Sequence, residues 1–276
     1  MRNGKVEQSQ IGIIANSEAP KLSYLLATNS DAKTVKGTKY GYLTAIQYLA
    51  PAFASEIVNL CSYASKGCEL ACLNTAGRAS FDSAIGKARI NRTIWYVRHK
   101  GKYWTRLIRE IELKIEQAKR LDLTLCIRLN GTSDQLWEKM RIKGTNSRYD
   151  GLTIMEAFPE QIFYDYTKYP YELRKDLPTN YHLTYSYSED TTDSQLQNNL
   201  ENGRNVAVVF NCCERNNKGK CFTKCSCPLP EKWLGYRVIS GDDSDIRFHD
   251  ETGVIVGLHA KGKARQDNSG FVVNIK

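Results

Sequence analysis

Three cysteines stand within one short stretch, NLCSYASKGCELACLNTAGR (59–78). Cys61, Cys68 and Cys72 are separated by six and then three residues, with Gly67 before the second and Gly77 after the third. Thiolates are soft ligands, suited to iron-sulfur clusters and zinc over magnesium or calcium, and small residues between them let the backbone close around a metal. Four protein ligands close a structural zinc site, so three leave a coordination position open for substrate or cofactor. The alternative is ordinary buried thiols, but the flanking Ser62, Ser65, Lys66 and Glu69 are a poor core pattern. The stretch reads as a cofactor loop with Cys61, Cys68 and Cys72 as metal ligands.

A second group, NCCERNNKGKCFTKCSCP, holds Cys212, Cys213, Cys221, Cys225 and Cys227 among Lys and Asn. With little apolar content it cannot bury a core of its own, so the expectation is an insertion, 211–228, pinned by zinc or a second cluster. A flexible cysteine-rich loop lending one thiol to the first site is the alternative. Cys126, in the middle of an apolar run, reads as core. The stretch GDDSDIRFHD carries Asp242, Asp243, Asp245, Arg247, His249 and Asp250. Carboxylates at this density suit a hard metal or ribose hydroxyls, against the plain reading of a polar turn between edge strands.

The elements that position these groups follow from periodicity. Short apolar runs end abruptly in polar residues: LTLCIRLNG leads into Asn130, Thr132, Ser133 and Asp134, IFYDYTK ends at Lys168, YHLTYSYSED contains Ser186 and Ser188, and NVAVVFN ends at Asn211. In α/β sheets and barrels, ligands sit at the carboxyl ends of strands, so these ends are the candidate site. Alternation in YHLTYS puts Tyr181, Leu183 and Tyr185 on one face and His182, Thr184 and Ser186 on the other. Six core strands are expected, at 40–50, 123–129, 162–166, 181–185, 205–210 and 237–240. Helical spacing predicts two helices over 83–96 and 103–121, and shorter ones in EKMRIKG, GLTIMEAFPEQ and SQLQNNLENG, the last capped by Asp193 and stopped at Gly203. The fold class is α/β: a partial (β/α)6-type barrel over 40–276, with an N-terminal extension, 1–39, and the cysteine-rich insertion.

The chain has 276 residues, 41% of them hydrophobic, and no Pro/Gly/Ser linker splits it, which favours one domain. No apolar run approaches membrane-spanning length and no secretory signal is found, so the expected home is the cytoplasm of a host cell. In that reducing compartment the nine cysteines are thiols or ligands rather than disulfides. Thirty-nine Lys and Arg against 30 acidic residues give +9, which favours a nucleotide or nucleic-acid partner. Arg78, Lys87, Arg89, Arg92, Arg98, Lys100 and Lys102 accompany the first long helix as a candidate phosphate-facing surface, with a solvated helix face as the plain alternative.

The segments LCSYASKGCELACLNTAGR, RLNGTSD, FYDYTK, YHLTYS and GDDSDIRFHDETGVIVGLHAKGKA resemble the bacteriophage gene product 88 family over nearly the whole chain. A cysteine loop after the first strand, followed by about five β/α units, also resembles radical S-adenosylmethionine enzymes. That family's usual spacing is three and then two residues with an aromatic before the last cysteine; here it is six and three with Ala71. The resemblance implies a [4Fe-4S] cluster on Cys61, Cys68 and Cys72, with S-adenosylmethionine as cofactor. It further implies Asn130, Thr132 and Asp134 at the cofactor's amino and carboxylate groups and Ser186 and Ser188 at its ribose. Asp242 or Asp245 would face the substrate or adenosyl side, with Tyr166 as a radical relay or barrel filler. Two other functions compete: a metal-stabilised nucleic-acid-binding or replication protein, and a nuclease whose divalent ions sit on Asp134, Asp242, Asp243 and Asp245.

Overall fold

The computed structural model describes residues 18–28, 32–72, 83–211 and 228–275. The chain enters through β1 (Leu26–Ala27), antiparallel to β2 (Tyr42–Gln47), with α1 (Ala32–Thr38) between them. After the cysteine loop and α2 (Lys66–Leu70) come α3 (Ser83–Arg98) and α4 (Lys100–Arg120), then β3 (Thr124–Arg128), α5 (Ile154–Ala157), β4 (Ile162–Thr167), β5 (Tyr181–Ser186), α6 (Asp193–Glu201) and β6 (Val206–Asn211). The hairpin β7 (Lys232–Trp233) and β8 (Tyr236–Ser240), then β9 (Ile255–His259) and β10 (Val272–Asn274), complete the order.

Among the described residues, ten strands form one sheet, ordered β1-β2-β3-β4-β5-β6-β9-β8-β7, with β10 beside β6. From β2 to β8 every neighbour is parallel. The sheet is open, its edge strands β1 and β7 each antiparallel to their single neighbour. All six expected strands lie within three residues of their predicted bounds. The sixth place in the parallel order, however, belongs to β9, which inserts between β6 and β8. β5 covers only the start of β6, through Tyr185↔Val206 and Ser186↔Ala207, and β10 takes the remainder of that edge.

One face of the sheet carries Leu43, Ala45, Leu125, Ile127, Leu129 and Phe163, all buried against Tyr103, Leu107 and Ile111 of α4. Each of the leucine, isoleucine and phenylalanine side chains among them stabilises the fold by about 1.5–3 kcal/mol. α4 is amphipathic, burying Tyr103, Trp104, Leu107, Ile108, Ile111 and Ala118, and its last turn carries Lys119 and Arg120, favourable at the negative end of the helix dipole. The first turn of α6 is capped by Thr192 rather than Asp193, in a capping box with Gln195, because Thr192 has the extended backbone that presents its hydroxyl to the Gln195 N–H. Gly203, at φ +76°, follows the helix end. EKMRIKG forms only a 3₁₀ turn, Trp137–Lys139, since Met140 is already extended.

The other face is filled by the chain itself. The connection from β8 to β9 runs across it: Phe248 meets Tyr42 of β2, Tyr164 of β4 and His182 of β5, at ring-centroid distances of 5.2, 5.6 and 5.7 Å. Ile246 packs with Cys126 and Tyr164, which are fully buried. GDDSDIRFHD is therefore a plug over the inner face. No helix of the described residues is long and apolar enough to cross a membrane.

Candidate functional site

A cavity of about 340 Å³ opens at the carboxyl ends of the parallel strands, above that plug. Cys61, Cys68 and Cys72 line it from one side, and Asn130, Thr132, Asp134, Tyr166, Ser186, Asp242 and Asp245 also contribute to its wall. Residues from five stretches of the chain, up to 184 positions apart, thus meet in one place. Ser188 does not line it: the N–H of Ser188 donates to Thr191 Oγ1 in the turn leading to α6. Cys212, Cys213, Cys221, Cys225 and Cys227 lie outside the described residues.

The cysteine loop is held from three directions. Cys61 receives the Ala52 N–H at 3.3 Å, donates to the Thr132 carbonyl at 3.8 Å, and its own N–H goes to Asn59. Cys68 lies in the first turn of α2, where Ser65 is the N-cap and accepts the Cys68 N–H at 3.1 Å. The Glu189 carboxylate, just past β5, takes the Ser65 hydroxyl at 2.7 Å and the Gly67 N–H at 2.5 Å, tying the loop to the sheet. A side chain at position 67 would run into Ser269, Phe271 and Glu189, which explains Gly67.

The thiols sit near enough to influence one another. Burial pushes Cys61 up to about 12, and Asp134, Cys72 and Cys68 push the same way against the Ala52 N–H. Burial also raises Cys68, while Lys168 pulls it back. Lys168 lies at the end of β4, its ammonium donating to the Ser186 carbonyl and hydroxyl at 3.0 Å and to the Tyr187 carbonyl at 3.2 Å. Burial lowers its own pKa, and Cys68, Asp134, Glu189 and Cys61 surround it with negative potential.

Three residues expected to hold a cofactor are spent on the loop itself. Asn130 accepts from Ser133, Gln135 and the Trp137 indole on one oxygen and donates to the Gln135 carbonyl, so its amide has little left for a ligand. Thr132 donates its hydroxyl to the Leu49 carbonyl at 2.5 Å. Asp134 accepts from the Lys168 N–H and Arg174, and burial still pushes it up to about 6. These are positioning residues: they join the ends of β2, β3 and β4. Gly131 belongs with them, since a Cβ there would fall 2.4 Å from the Gln47 carbonyl oxygen.

Asp242, Asp245 and Asp250 of the acidic stretch are each paired with a cation. Asp245 pairs with Arg128 at 2.8 Å, and Arg128 lies over the Tyr166 ring. Asp242 holds His259 through both its N–H and Nδ1, at 2.9 and 2.7 Å, and Lys261 at 2.6 Å, while its carbonyl accepts from Lys36. Burial penalises the Asp242 carboxylate, yet Lys261 and His259 outweigh it and hold the group below the usual range. Asp243 is exposed. Among the described residues no group of three or more His, Cys, Asp and Glu side chains is gathered to hold a metal ion.

Arg128 and His259 are missed as site residues in the sequence, where Lys168 and Glu189 figure only as polar strand ends. Arg128 did leave a signal: a charged residue inside the apolar run LTLCIRLNG has to find a buried partner. His259, at the end of β9, obeys the same strand-end grammar as the residues that were picked.

An open, mostly parallel sheet with a thiol-lined cavity at its strand ends defines an α/β protein with a candidate binding site at that end of the sheet. The chain belongs to the gene product 88 family, whose model matches residues 24–275. No curated protein and no solved structure matches the chain, so nothing in these comparisons carries the resemblance to radical S-adenosylmethionine enzymes.

Proposed function

We propose that this phage-family protein is an iron-sulfur enzyme of the radical S-adenosylmethionine-like kind, acting on a nucleotide or nucleic acid, with its sheet curled as a partial (β/α)6-type barrel. The observation that carries the reading is the meeting of Cys61, Cys68 and Cys72 in one cavity at the carboxyl ends of parallel strands. The donor set fits a polynuclear cluster better than a single ion. In a cluster each thiolate binds a different metal atom, so the sulfurs need not close on one point. The curl is supported by Phe248, which touches β2, β4 and β5 from the inner face.

Cys61, Cys68 and Cys72 would hold the cluster. Bound there, the cluster would supply the one-electron reduction that chemistry on S-adenosylmethionine requires. The chain's own residues do the rest. Lys168 favours the thiolate at Cys68 and offsets the negative charge of the sulfurs. Asp242, as acceptor, keeps a proton on His259 Nδ1 and so fixes the tautomer and orientation of an imidazole on the cavity wall. Arg128 holds Asp245 at the cavity floor and Tyr166 beneath its guanidinium.

Anaerobic purification with iron, sulfide and zinc assays and an absorption spectrum tests this, on wild type and on Cys61→Ala/Cys68→Ala/Cys72→Ala. About four irons per chain, lost in the variant, with a spectrum perturbed by S-adenosylmethionine, is the expected result. Zinc alone, or no metal, sinks the reading.

A further inference from the structure

The net charge of the chain is concentrated on one helical pair. Residues 83–120 hold eleven Lys and Arg against three Glu, a net of +8 where the whole chain carries +9. Part of that charge is structural. Arg92 donates to the Tyr24 carbonyl and sits over its ring, and Arg89 is buried over Tyr48, so these two do not form the phosphate-facing surface their sequence suggests. The surface lies one helix further on.

A groove of about 970 Å³ runs between the 23–28 segment, α4 and the 144–146 turn, away from the thiol-lined cavity. Its α4 wall presents Lys102, Arg106 and Arg109 at one helix face, with Lys114 further along and Glu110 as its acidic residue. Arg106 and Lys114 are anchored, the first by Glu110 and the Ser23 carbonyl, the second by Thr28 and Gln117, so their charges are fixed in place. Lys102 and Arg109 stand exposed. Tyr24, 41% exposed, and Trp95 add aromatic surface to the same groove.

We infer that this groove binds single-stranded nucleic acid, with Lys102, Arg106 and Arg109 on successive phosphates and Tyr24 as a stacking platform. A positive groove tracking the backbone beside an aromatic ring is how strands are held without sequence readout. A duplex, whose bases are already stacked, has no use for the ring. The inference deepens the nucleic-acid part of the reading above and does not depend on the metal.

The test is fluorescence anisotropy with labelled oligothymidine over a range of salt concentrations. Wild type binds, and log Kd rises with log salt. Lys102→Ala/Arg109→Ala weakens binding at least tenfold and lowers the salt slope by about 1.4, at about 0.7 per phosphate contact. Tyr24→Ala weakens binding with the slope unchanged. Lys119→Ala/Arg120→Ala removes the same charge from the far end of α4, outside the groove, and leaves binding as in wild type. Equal losses in the two double variants, competition by duplex as strong as by single strand, or no binding at low salt overturns the inference. All five positions are exposed, and a cooperative thermal transition in each variant confirms that the fold is retained. Iron is assayed on the same preparations. A metal-free protein that binds the strand refutes the cofactor reading alone, and an iron-loaded one that does not refutes the groove alone.

Discussion

At the scale of single residues, the site depends on buried carboxylates that carry no direct chemistry. Asp165, on β4, accepts the Asn130 N–H at 2.8 Å and the Tyr181 hydroxyl at 3.0 Å, with Arg128 Nε no closer than 3.8 Å. Burial pushes its carboxyl up to about 7, and Arg128, Asn130 and Tyr181 offset this only in part. An unfolded aspartate titrates near 3.9, so over the window between these values the native state binds more protons than the unfolded chain. Its contribution to stability is therefore full at low pH and declines as pH rises toward 7. Wild type is expected to lose on the order of 2–3 kcal/mol from this group between about pH 5 and pH 8. Asp165→Asn should show a much flatter profile by thermal unfolding. It keeps some slope, because Asp134, raised to about 6, acts in the same direction. A wild-type Tm that climbs from acid to neutral pH would contradict the assignment.

At the scale of elements, α2 is the part with least to hold it and most to position. It has five residues, too few to be stable alone, and relies on the Ser65 cap and on Glu189 gripping its first turn. Gly67→Ala places a Cβ 2.6 Å from Phe271 Cβ and 2.8 Å from Glu189 Oε1. Phe271 belongs to the apolar cluster beneath the loop, so it cannot yield cheaply. The expected cost is about 1–3 kcal/mol of overpacking, read by denaturant unfolding, together with loss of about one ligand's hold on any bound metal; a neutral Gly67→Ala would mean that Glu189 does not fix this turn. The glycine is visible in the sequence, but its reason is not, since Ser269 and Phe271 are two hundred residues away. The same limit separates what could be read from what could not. Strand ends at Asp134, Lys168 and Ser186 are legible because apolar runs stop there. That Asn130 and Thr132 spend their polar groups on Trp137 and Leu49 is not, because a polar side chain facing a ligand and one folding its own loop look alike in one dimension. The apolar run of β9 is visible in the sequence, but its place as the sixth parallel neighbour is not, because order within a sheet is set by which edge remains open when the strand arrives.

At the scale of the whole molecule, the sheet is organised around the connection that crosses its inner face. Most parallel strands are linked by helices on the outside; β8 and β9 are linked through the inside, by a segment carrying Asp242, Asp245, Arg247 and Phe248. The plug is apolar where it touches Cys126 and Tyr164 and ionic where it meets β3. Arg128 is the hinge between the two: its side chain is 6% exposed and faces Asp245 and Asp165, themselves 12% and 1% exposed. Arg128→Leu leaves two buried carboxylates without their cation, which costs about 3–5 kcal/mol when they are ionised. The cost should shrink at acid pH, as protonation of Asp165 and Asp245 removes the uncompensated charge. Arg128→Leu/Asp245→Asn should recover part of the loss at neutral pH, because the amide needs no cation. Additive losses in that double-mutant cycle would show that the plug is held by its apolar contacts alone. Recovery would place the ion pair between the floor of the cavity and the strand that leads into the cysteine loop's own anchor, Thr132, so that one interaction sets both the depth of the cavity and the position of Cys61.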